Sequence, residues 1–400
     1  MIKLLITIII LSLPLGEIIR IDLGNDVFLK PLDVIVAAAA VLFVIQSTIN
    51  NKKFIFPKLA KGIIIFSFIG IFSLVLNYSK LSQKEFLASF LYWFRFVSYA
   101  SLYFMVINID KNFVKYISKL LLLSGIIILV LGFIQYFLYP NLQNLYYLGW
   151  DEHNYRMFSV FLDPNFAGAF FVIFLIYLLG LVYKANKSSE KQQIYFLSIL
   201  AILDFIAIIL TYSRSALLML AAGLMSYFII LNKKIYILYF FIIMTLIIVF
   251  LSRSFDKENT NLFRTTSSFA RINSYTRAIE VVKINPFFGV GFNAYRYVDV
   301  KSVITSTKVN YQEHAGAGVD NSLLFVMATT GIIGLLAYIY FYYSVLKRAL
   351  YLKSKRSNIY SLIVICSLTG LLVNSFFINS LFYPSIMLWM WIQIGLMENN

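Results

Sequence analysis

Long apolar stretches recur along the whole chain and restrict the folds that it can adopt. A membrane-spanning helix requires about 20 consecutive, mostly apolar residues, and roughly twelve stretches approach that length. The sequence therefore predicts an all-α, polytopic integral membrane protein. The predicted spans lie near residues 2–16, 31–49, 61–77, 86–107, 117–139, 164–183, 193–212, 215–232, 235–252, 320–345, 358–378 and 381–397.

The composition agrees with a membrane location. Of the 400 residues, 60% are hydrophobic and only 13% are charged, whereas about a quarter of a soluble domain is charged. The first apolar stretch resembles a signal peptide because Lys3 precedes it, but no small-residue cleavage site follows. We therefore interpret it as a retained, short span.

The single cysteine, Cys366, allows no disulfide within the chain, and two histidines are too few for a His-rich metal site.

Basic residues alternate between successive connections, and this alternation predicts the orientation. Connections on the cytoplasmic side of a membrane protein carry an excess of lysine and arginine. Both termini are then predicted to be cytoplasmic. The residues assigned to the cytoplasmic side are Lys52, Lys53, Lys58, Lys61, Lys111, Lys115, Lys119, Lys184, Lys187, Lys191, Lys233, Lys234, Lys347, Arg348, Lys353, Lys355 and Arg356.

The connection 253–319 is much longer than the others and is predicted to face outward. It separates residues 1–252, which hold the first nine spans, from residues 320–400, which hold the last three. Long loops are exempt from the positive-inside rule, yet this loop is rich in arginine and lysine. Its basic character on the outer side therefore suggests an anionic ligand rather than a nucleic acid.

Two shorter outward segments carry further polar residues. In WDEHNYRMFSVFLDPNFAG (150–168), Asp163 and Pro164 are typical of a helix start, and Arg156 lies on the same loop. In LTYSRSALL (210–218), Arg214 occupies a very tight connection close to membrane depth. An ionisable residue there favours a functional site, with a snorkelling anchor as the alternative.

The third outward segment, SFARINSYTRAIEVVKINPFFGVGFNAY (268–295), predicts an amphipathic helix followed by a turn. Asn285 and Pro286 end the helix, and Gly289 and Gly291 permit close backbone approach. A solvated basic face on an interfacial helix is the structural alternative. The apolar residues at helical spacing are Ile272, Tyr275, Ile279 and Val282, and the basic residues between them are Arg271, Arg277 and Lys283.

Four arginines on these segments can converge on one surface. The planar guanidinium binds phosphate oxygens in a bidentate manner. Such a cluster suits a diphosphate whose lipid tail lies in the bilayer. The predicted diphosphate ligands are Arg156, Arg214, Arg271 and Arg277.

Two charged residues lie within predicted spans. Arg95 in YWFRFVSY and Asp204 in LAILDFIAI are both near the middle of a span, where an isolated charge is costly. We expect them to form a buried pair. Proton coupling is the functional alternative.

The segment GVDNSLLFVMATTGIIG (318–334) passes from a polar turn into an apolar span within a few residues. Asp320 or Asn321 can cap the helix that follows. The same two residues also stand at the end of the basic loop, so they are candidates for the site itself.

In order along the chain, these segments resemble the O-antigen ligase/polymerase superfamily of bacterial envelope glycan assembly. The resemblance covers most of residues 150–335, and the remainder matches only as hydrophobic topology. Each motif is weak alone, but four in order are fairly specific. The matching pieces are FLDPNFAG (161–168), LTYSRSALLML (210–220), R-x5-R followed by NPFFGVGFNAY (271–295) and DNSLLFVMATTGIIG (320–334).

This resemblance implies a fold similar to the GT-C membrane glycosyltransferases and an inverting glycosyl transfer that needs neither metal nor cofactor. The donor would be an oligosaccharide on undecaprenyl diphosphate, at the outer face of the membrane. Arginines would bind the diphosphate leaving group, and a base would activate the acceptor hydroxyl. Asn165 and Asn321 are further candidates for substrate binding. A chain-length regulator and a flippase are possible partners.

The ligase branch of the superfamily carries a histidine where this chain has Asp320, followed by the spacing to Gly331 and Gly334 that is kept here. That departure favours the polymerase branch, with Asp320 or the nearby His314 as the catalytic base. A ligase, a capsule or exopolysaccharide polymerase, and a lipid-linked sugar flippase or transporter stay open as alternatives. A flippase should line an inner cavity with charge, whereas this sequence concentrates charge in the outward segments.

Overall fold

The computed structural model describes residues 1–22, 28–49, 55–148, 150–252, 260, 266–298, 318–356 and 358–399. This part of the chain contains thirteen α-helices and one two-stranded antiparallel ladder in which Ile21 pairs with Leu29. The helices are α1 (Ile2–Ser12), α2 (Pro31–Ile49), α3 (Ala60–Leu76), α4 (Gln83–Ile107), α5 (Lys111–Leu138), α6 (Pro164–Lys187), α7 (Lys191–Leu210), α8 (Arg214–Ile230), α9 (Ile235–Ser252), α10 (Thr266–Ile284), α11 (Ser322–Arg356), α12 (Ile359–Asn374) and α13 (Pro384–Asn399).

The helical, multi-pass character predicted from the apolar stretches is confirmed. A helix forms within each of the twelve predicted segments, and α10 forms in the long connection. Six of the described helices, α2, α4, α5, α6, α7 and α11, are long and apolar enough to cross a bilayer. The number of crossings and their orientation stay predictions.

Helix α6 lies at the centre of the bundle. Almost all of its side chains from Ala167 to Leu178 are buried, and the helix packs on α7, α8 and α12. The Trp389 ring of α13 meets the Phe170, Phe174 and Tyr177 rings of α6 edge to face, with centroids 5.1–5.9 Å apart. This aromatic core holds the N-terminal end of α6 in place.

The predicted pair between Arg95 and Asp204 is wrong. Arg95 Nη1 instead lies 3.1 Å from Asp33 Oδ2, and Tyr99 Oη donates to Asp33 Oδ1 at 2.7 Å. The reason is the packing: α4 lies against α2, which carries Asp33 in its first turn, whereas α7 lies against α6. Asp204 is fully buried, and its two carboxylate oxygens have no hydrogen-bond partner within the described residues.

Helix α10 forms as the sequence predicts and ends just before Asn285 and Pro286. It packs on α11 through Ala278 and Val281, which lie in a small core with Phe325 and Ala328. The four apolar residues at helical spacing divide between two environments: Ile272 and Ile279 are 58% and 48% exposed, whereas Tyr275 and Val282 contact the protein.

Helix α11 is broken at Gly331, where the backbone is non-helical with φ 68° and ψ −171°. The turn after α10 packs into this break, so a β-carbon at Gly331 would come within 2.1 Å of the Phe287 carbonyl oxygen. At Gly289, with φ 70°, a β-carbon would lie 2.4 Å from the Thr329 backbone. The close backbone approach predicted for Gly289 is therefore confirmed. The sequence alone did not reveal that its partner is the break at Gly331.

Candidate functional site

The N-terminus of α6 and the turn before α8 meet at one end of the bundle, which we call the site end. Asp163 caps α6, since its Oδ1 accepts from the Asn165 and Phe166 amides at 2.6 and 3.4 Å. Asn165 Oδ1 in turn accepts from Ser213 Oγ at 2.9 Å. The predicted cap is confirmed, and it fixes Asn165 against the segment that contains Arg214.

The turn before α8 is held in an unusual backbone conformation. Tyr212 has φ 49°, a region that non-glycine residues rarely occupy. Ser213 caps α8 by accepting from the Ala216 amide at 3.4 Å. Arg214 is the first residue of α8 and is half-buried, so the turn presents its side chain at the site end.

Arg156 lies beneath this turn rather than on its surface. The side chain is only 5% exposed, and Nε donates to the Thr211 carbonyl at 2.9 Å while Nη2 donates to the Tyr212 carbonyl at 3.5 Å. These bonds satisfy two backbone carbonyls in a buried turn. Arg156 thus holds the backbone that carries Arg214.

Helix α10 brings two further arginines to the site end. Arg271 attracts Asp320 and repels Arg214 electrostatically, so the three side chains share one region. Its guanidinium carbon also lies 5.9 Å from the Phe377 ring centroid. Arg277 lies over the Tyr295 ring at 5.1 Å, in a cation–π arrangement.

The start of α11 separates the roles of Asp320 and Asn321. Asn321 is buried and caps the helix, because its Oδ1 accepts from the Leu323 and Leu324 amides, both at 2.9 Å. Asp320 is anchored only through its backbone amide, which donates to Ser274 Oγ at 3.1 Å. Within the described residues its carboxylate accepts no hydrogen bond. The cap therefore does not require Asp320.

The electrostatic environment of Asp320 favours the protonated form. Burial raises the pKa of its carboxyl, the Arg271 charge lowers it, and the Asp163 charge raises it further, with a net rise. Burial also raises the pKa of Tyr275, and it raises that of Tyr295 to about 12. A carboxylate with a raised pKa is the environment expected for a general base that works near neutral pH.

The structure brings most of the predicted site residues together and does not describe one of them, and the role of each stays a prediction. Asn165, Arg214, Arg271, Asp320 and Asn321 lie at the site end, and Arg277 and Arg156 flank it. His314 lies outside the described residues. Residues that the sequence analysis did not assign to the site are Ser274 and Tyr275, which face α11 from α10, and Tyr295.

The missed residues had a weak signal in the sequence. Tyr275 follows Arg271 by one helical turn, so the two share a face of α10. Tyr275 Oη donates to the Phe376 carbonyl in the connection before α13. Nothing in the sequence predicted that this connection reaches the site. In the described part of the chain, no group of three or more metal-ligating side chains lies close enough to hold an ion.

Part of the chain that forms the site end matches a known protein family. Residues 199–339 match the family model described as O-antigen ligase. The matched region runs from α7 into α11 and contains Arg214, Arg271, Arg277 and Asp320. The chain thus carries an O-antigen ligase family domain, within a membrane protein of polysaccharide biosynthesis. No curated protein sequence matches the chain.

Proposed function

We propose that this protein is a glycosyltransferase that polymerises oligosaccharide repeat units carried on undecaprenyl diphosphate. The O-antigen ligase domain supports a lipid-linked glycan as substrate. One observation carries the proposal: the starts of α8 and α11 and the side of α10 bring Arg214, Asp320 and Arg271 to the same end of the bundle. Guanidinium groups bind phosphate oxygens through charge-assisted, bidentate hydrogen bonds, so two of them at one place suit a diphosphate.

In this mechanism the arginines act on the leaving group. Arg214 and Arg271 bind the diphosphate of the donor, and Arg277 contributes charge from the same helix. Negative charge grows on the diphosphate as its bond to the sugar breaks, so fixed guanidinium groups stabilise the transition state more than the ground state. No metal is required in this proposal.

Asp320 acts as the general base. The acceptor hydroxyl oxygen forms a bond to the anomeric carbon on the face opposite the diphosphate, and the bond between that carbon and the diphosphate oxygen breaks. The hydroxyl proton passes to the Asp320 carboxylate, and the electron pair leaves with the diphosphate. The configuration at the anomeric carbon inverts. His314 is the alternative base.

The remaining candidates position these groups. Arg156 holds the turn that carries Arg214, and Asn321 fixes the start of α11 beside Asp320. Asn165 is held by Ser213 through its oxygen, so its amide NH₂ group is the part that we assign to a sugar hydroxyl. These roles refine the expectation that Arg156 contacts the diphosphate directly.

The aspartate at position 320 favours a polymerase, because the superfamily's ligases carry a histidine there. A polymerase joins repeat units that remain lipid-linked, whereas a ligase moves the finished chain onto lipid A-core. The description of the matching family names a ligase, and this observation keeps transfer to lipid A-core as the second candidate. We place the reaction at the outer face of a bacterial inner membrane, with a chain-length regulator and a flippase as partners.

Deletion of the gene in its host distinguishes the two candidates. If the protein is the polymerase, single repeat units on the core should replace the polymer ladder on a gel of surface polysaccharide. If it is the ligase, the core should carry no polymer and lipid-linked polymer should accumulate. A normal polymer ladder in the deletion strain would contradict both candidates.

A further inference from the structure

Helix α10 runs beside the first part of α11 in the same direction. The Asp320 amide meets Ser274 Oγ at 3.1 Å, and further along the Ile332 and Ile333 amides meet the Pro286 and Phe287 carbonyls at 2.9 and 3.4 Å. All three contacts share one sequence offset of 46 residues. The two helices therefore descend together, over roughly 18 Å at 1.5 Å per residue.

The turn after α10 reverses the chain at the level of the α11 break. The Val290 and Gly291 amides donate to the Ala328 and Thr329 carbonyls at 3.0 and 3.1 Å. Residues 286–291 thus descend past the start of α11 and return toward it. This is the course of a re-entrant segment.

The polar backbone groups of this turn find partners within the protein. Ser73 Oγ of α3 donates to the Phe288 carbonyl at 2.5 Å. The Asn77 amide group donates to the Gly289 carbonyl at 3.0 Å, and the Gly289 amide donates to the Asn285 carbonyl at 2.9 Å. A water-exposed loop needs no such partners. Non-helical backbone at membrane depth does, because lipid offers no hydrogen bonds.

The face of this segment that points away from the bundle is open and mostly apolar. Its exposed large apolar residues are Phe269 (64%), Ile272 (58%), Ile279 (48%), Ile284 (46%) and Phe287 (63%), and its exposed polar residues are Asn273, Thr276 and Lys283. Lys283, on the same side, pairs with Glu280 at 2.7 Å, so the two charges offset each other.

This open face continues onto α3, a shorter helix that is also apolar. The Phe288 ring meets the Phe72 ring of α3 at 5.6 Å, and Phe72 stacks on Phe68 at 6.2 Å. Phe68 and Phe72 are 65% and 40% exposed. The exposed surface of α10 and the outer surface of α3 therefore form one apolar band.

We propose that α10 and residues 285–291 form a re-entrant segment whose exposed apolar face contacts the acyl chains of the bilayer. Phe287 lies deepest, Ile279 lies at intermediate depth and Phe269 lies closest to the headgroups. The placement does not depend on the proposed glycosyl transfer. If that transfer is correct, the segment presents Arg271 beside the headgroup region, where the diphosphate of a membrane lipid resides.

Spin labels at single cysteines test this placement. The parent carries Cys366→Ala, which removes the one native thiol, a buried one. Phe269→Cys, Ile279→Cys and Phe287→Cys are labelled separately, and the protein is reconstituted into phosphatidylcholine vesicles. Relaxation enhancement by oxygen, which concentrates in lipid, is compared with that by a water-soluble nickel chelate. Val130→Cys, on an exposed face of α5, is the lipid control, and Ser188→Cys, between α6 and α7, is the water control.

At positions 287 and 279, the ratio of the relaxation enhancement by oxygen to that by nickel should equal the ratio at position 130. At position 269, the ratio should fall toward that of the water control, position 188. Nickel accessibility at 287 and 279 equal to that at 188 would overturn the proposal, because the segment would lie in water. Protection from both reagents would also overturn it, because protein would cover the face. Glycosyl transfer by the unlabelled parent is measured separately, so its failure would count only against the proposed function.

Discussion

Among the described residues, two clusters of partly buried charge differ in how their charges are paired. In the N-terminal cluster, Lys30 pairs with Glu17, and Asp33 accepts from both Arg95 and Tyr99. At the site end, Arg214 and Arg271 repel each other and Asp320 accepts no hydrogen bond from the described residues. Both clusters are at least partly buried, so exposure does not explain the difference.

This difference distinguishes charges that stabilise the fold from charges that we propose to bind substrate. A buried charge that is paired and hydrogen-bonded offsets its desolvation cost within the protein. The site end instead gathers two guanidinium groups and a carboxylate from three different segments, an arrangement suited to an anionic ligand. The N-terminal cluster lies outside the O-antigen ligase domain, whereas Arg214, Arg271 and Asp320 lie inside it.

The largest expected effect on catalysis comes from Asp320→Asn. Loss of the general base should lower the rate of chain elongation by about 10²–10⁴-fold, while the fold persists because Asn321 still caps α11. The rate is measured with purified protein and a polyprenyl-diphosphate-linked oligosaccharide. Glu280→Gln on α10 is the matched control and should leave the rate unchanged. Elongation at the parent rate in Asp320→Asn would exclude this residue as the base.

Arg95→Met should act in the opposite way, on stability rather than on chemistry. It leaves Asp33 buried without its cation, at a cost of about 3–5 kcal/mol, so the thermal midpoint in detergent should fall markedly. Protein that remains folded should retain the parent rate per molecule. Adding Asp33→Leu to this variant should recover part of the lost thermal midpoint, since the unpaired Asp33 charge is then removed. A stable Arg95→Met protein that has lost transfer would remove the distinction between the two clusters.

Arg271→Ala should lower elongation by about 10²–10³-fold, the usual effect of removing one preorganised transition-state donor. Its thermal midpoint should change little, because the repulsion from Arg214 disappears. Lys283→Ala on the same helix is the matched control, since that residue makes only an exposed ion pair. If both variants lost activity equally, the loss would come from α10 itself and not from a diphosphate contact.

Asn321→Ala should cost about 1 kcal/mol, as expected for an N-cap, and should lower elongation only modestly through the position of Asp320. Asn321→Asp, which keeps an acceptor for the Leu323 and Leu324 amides, should recover the thermal midpoint. A loss of transfer as large as that of Asp320→Asn, at an unchanged midpoint, would instead make Asn321 a direct participant.

The smallest expected effect is a displacement of the pH profile. Burial raises the pKa of Asp320, and a base is active when ionised, so elongation should fall as the pH drops through that raised value. The inflection should lie above the value of about 3.9 for an exposed aspartate. Arg271→Lys should move it little, whereas Arg271→Ala should move it higher because the stabilising cation is gone. A profile in Asp320→Asn with the parent's inflection would assign the titration to another group.

Several features of the site were accessible from the sequence because they are local. The caps at Asp163 and Ser213, the end of α10 at Asn285–Pro286 and the close approach at Gly289 depend on neighbours within a few residues. The choice between Asp320 and Asn321 as the cap was not accessible, since both residue types can cap. Only the bonds to Leu323 and Leu324 decided it.

The pairing of Arg95 shows why other features were not accessible. The cost of an isolated charge in a span predicts that a partner exists, but the partner's identity depends on which helices pack together. Asp33 and Asp204 are chemically equivalent candidates, and the contact between α2 and α4 selected Asp33. The apolar residues of α10 show the same limit, because spacing defines a face without defining what covers it.

The sequence by itself determined that the chain is helical and apolar, where most helices begin and end, and which residue types can bind a diphosphate. Hydrophobic length, capping and charge are properties of short segments, so they can be derived without the fold. The tertiary structure alone decided that Arg214, Arg271 and Asp320 share one region, that Arg156 holds the turn that carries Arg214, and that the turn after α10 packs into the break of α11 at Gly331. Each of these depends on contacts between segments that are far apart in sequence, and helix packing determines those contacts.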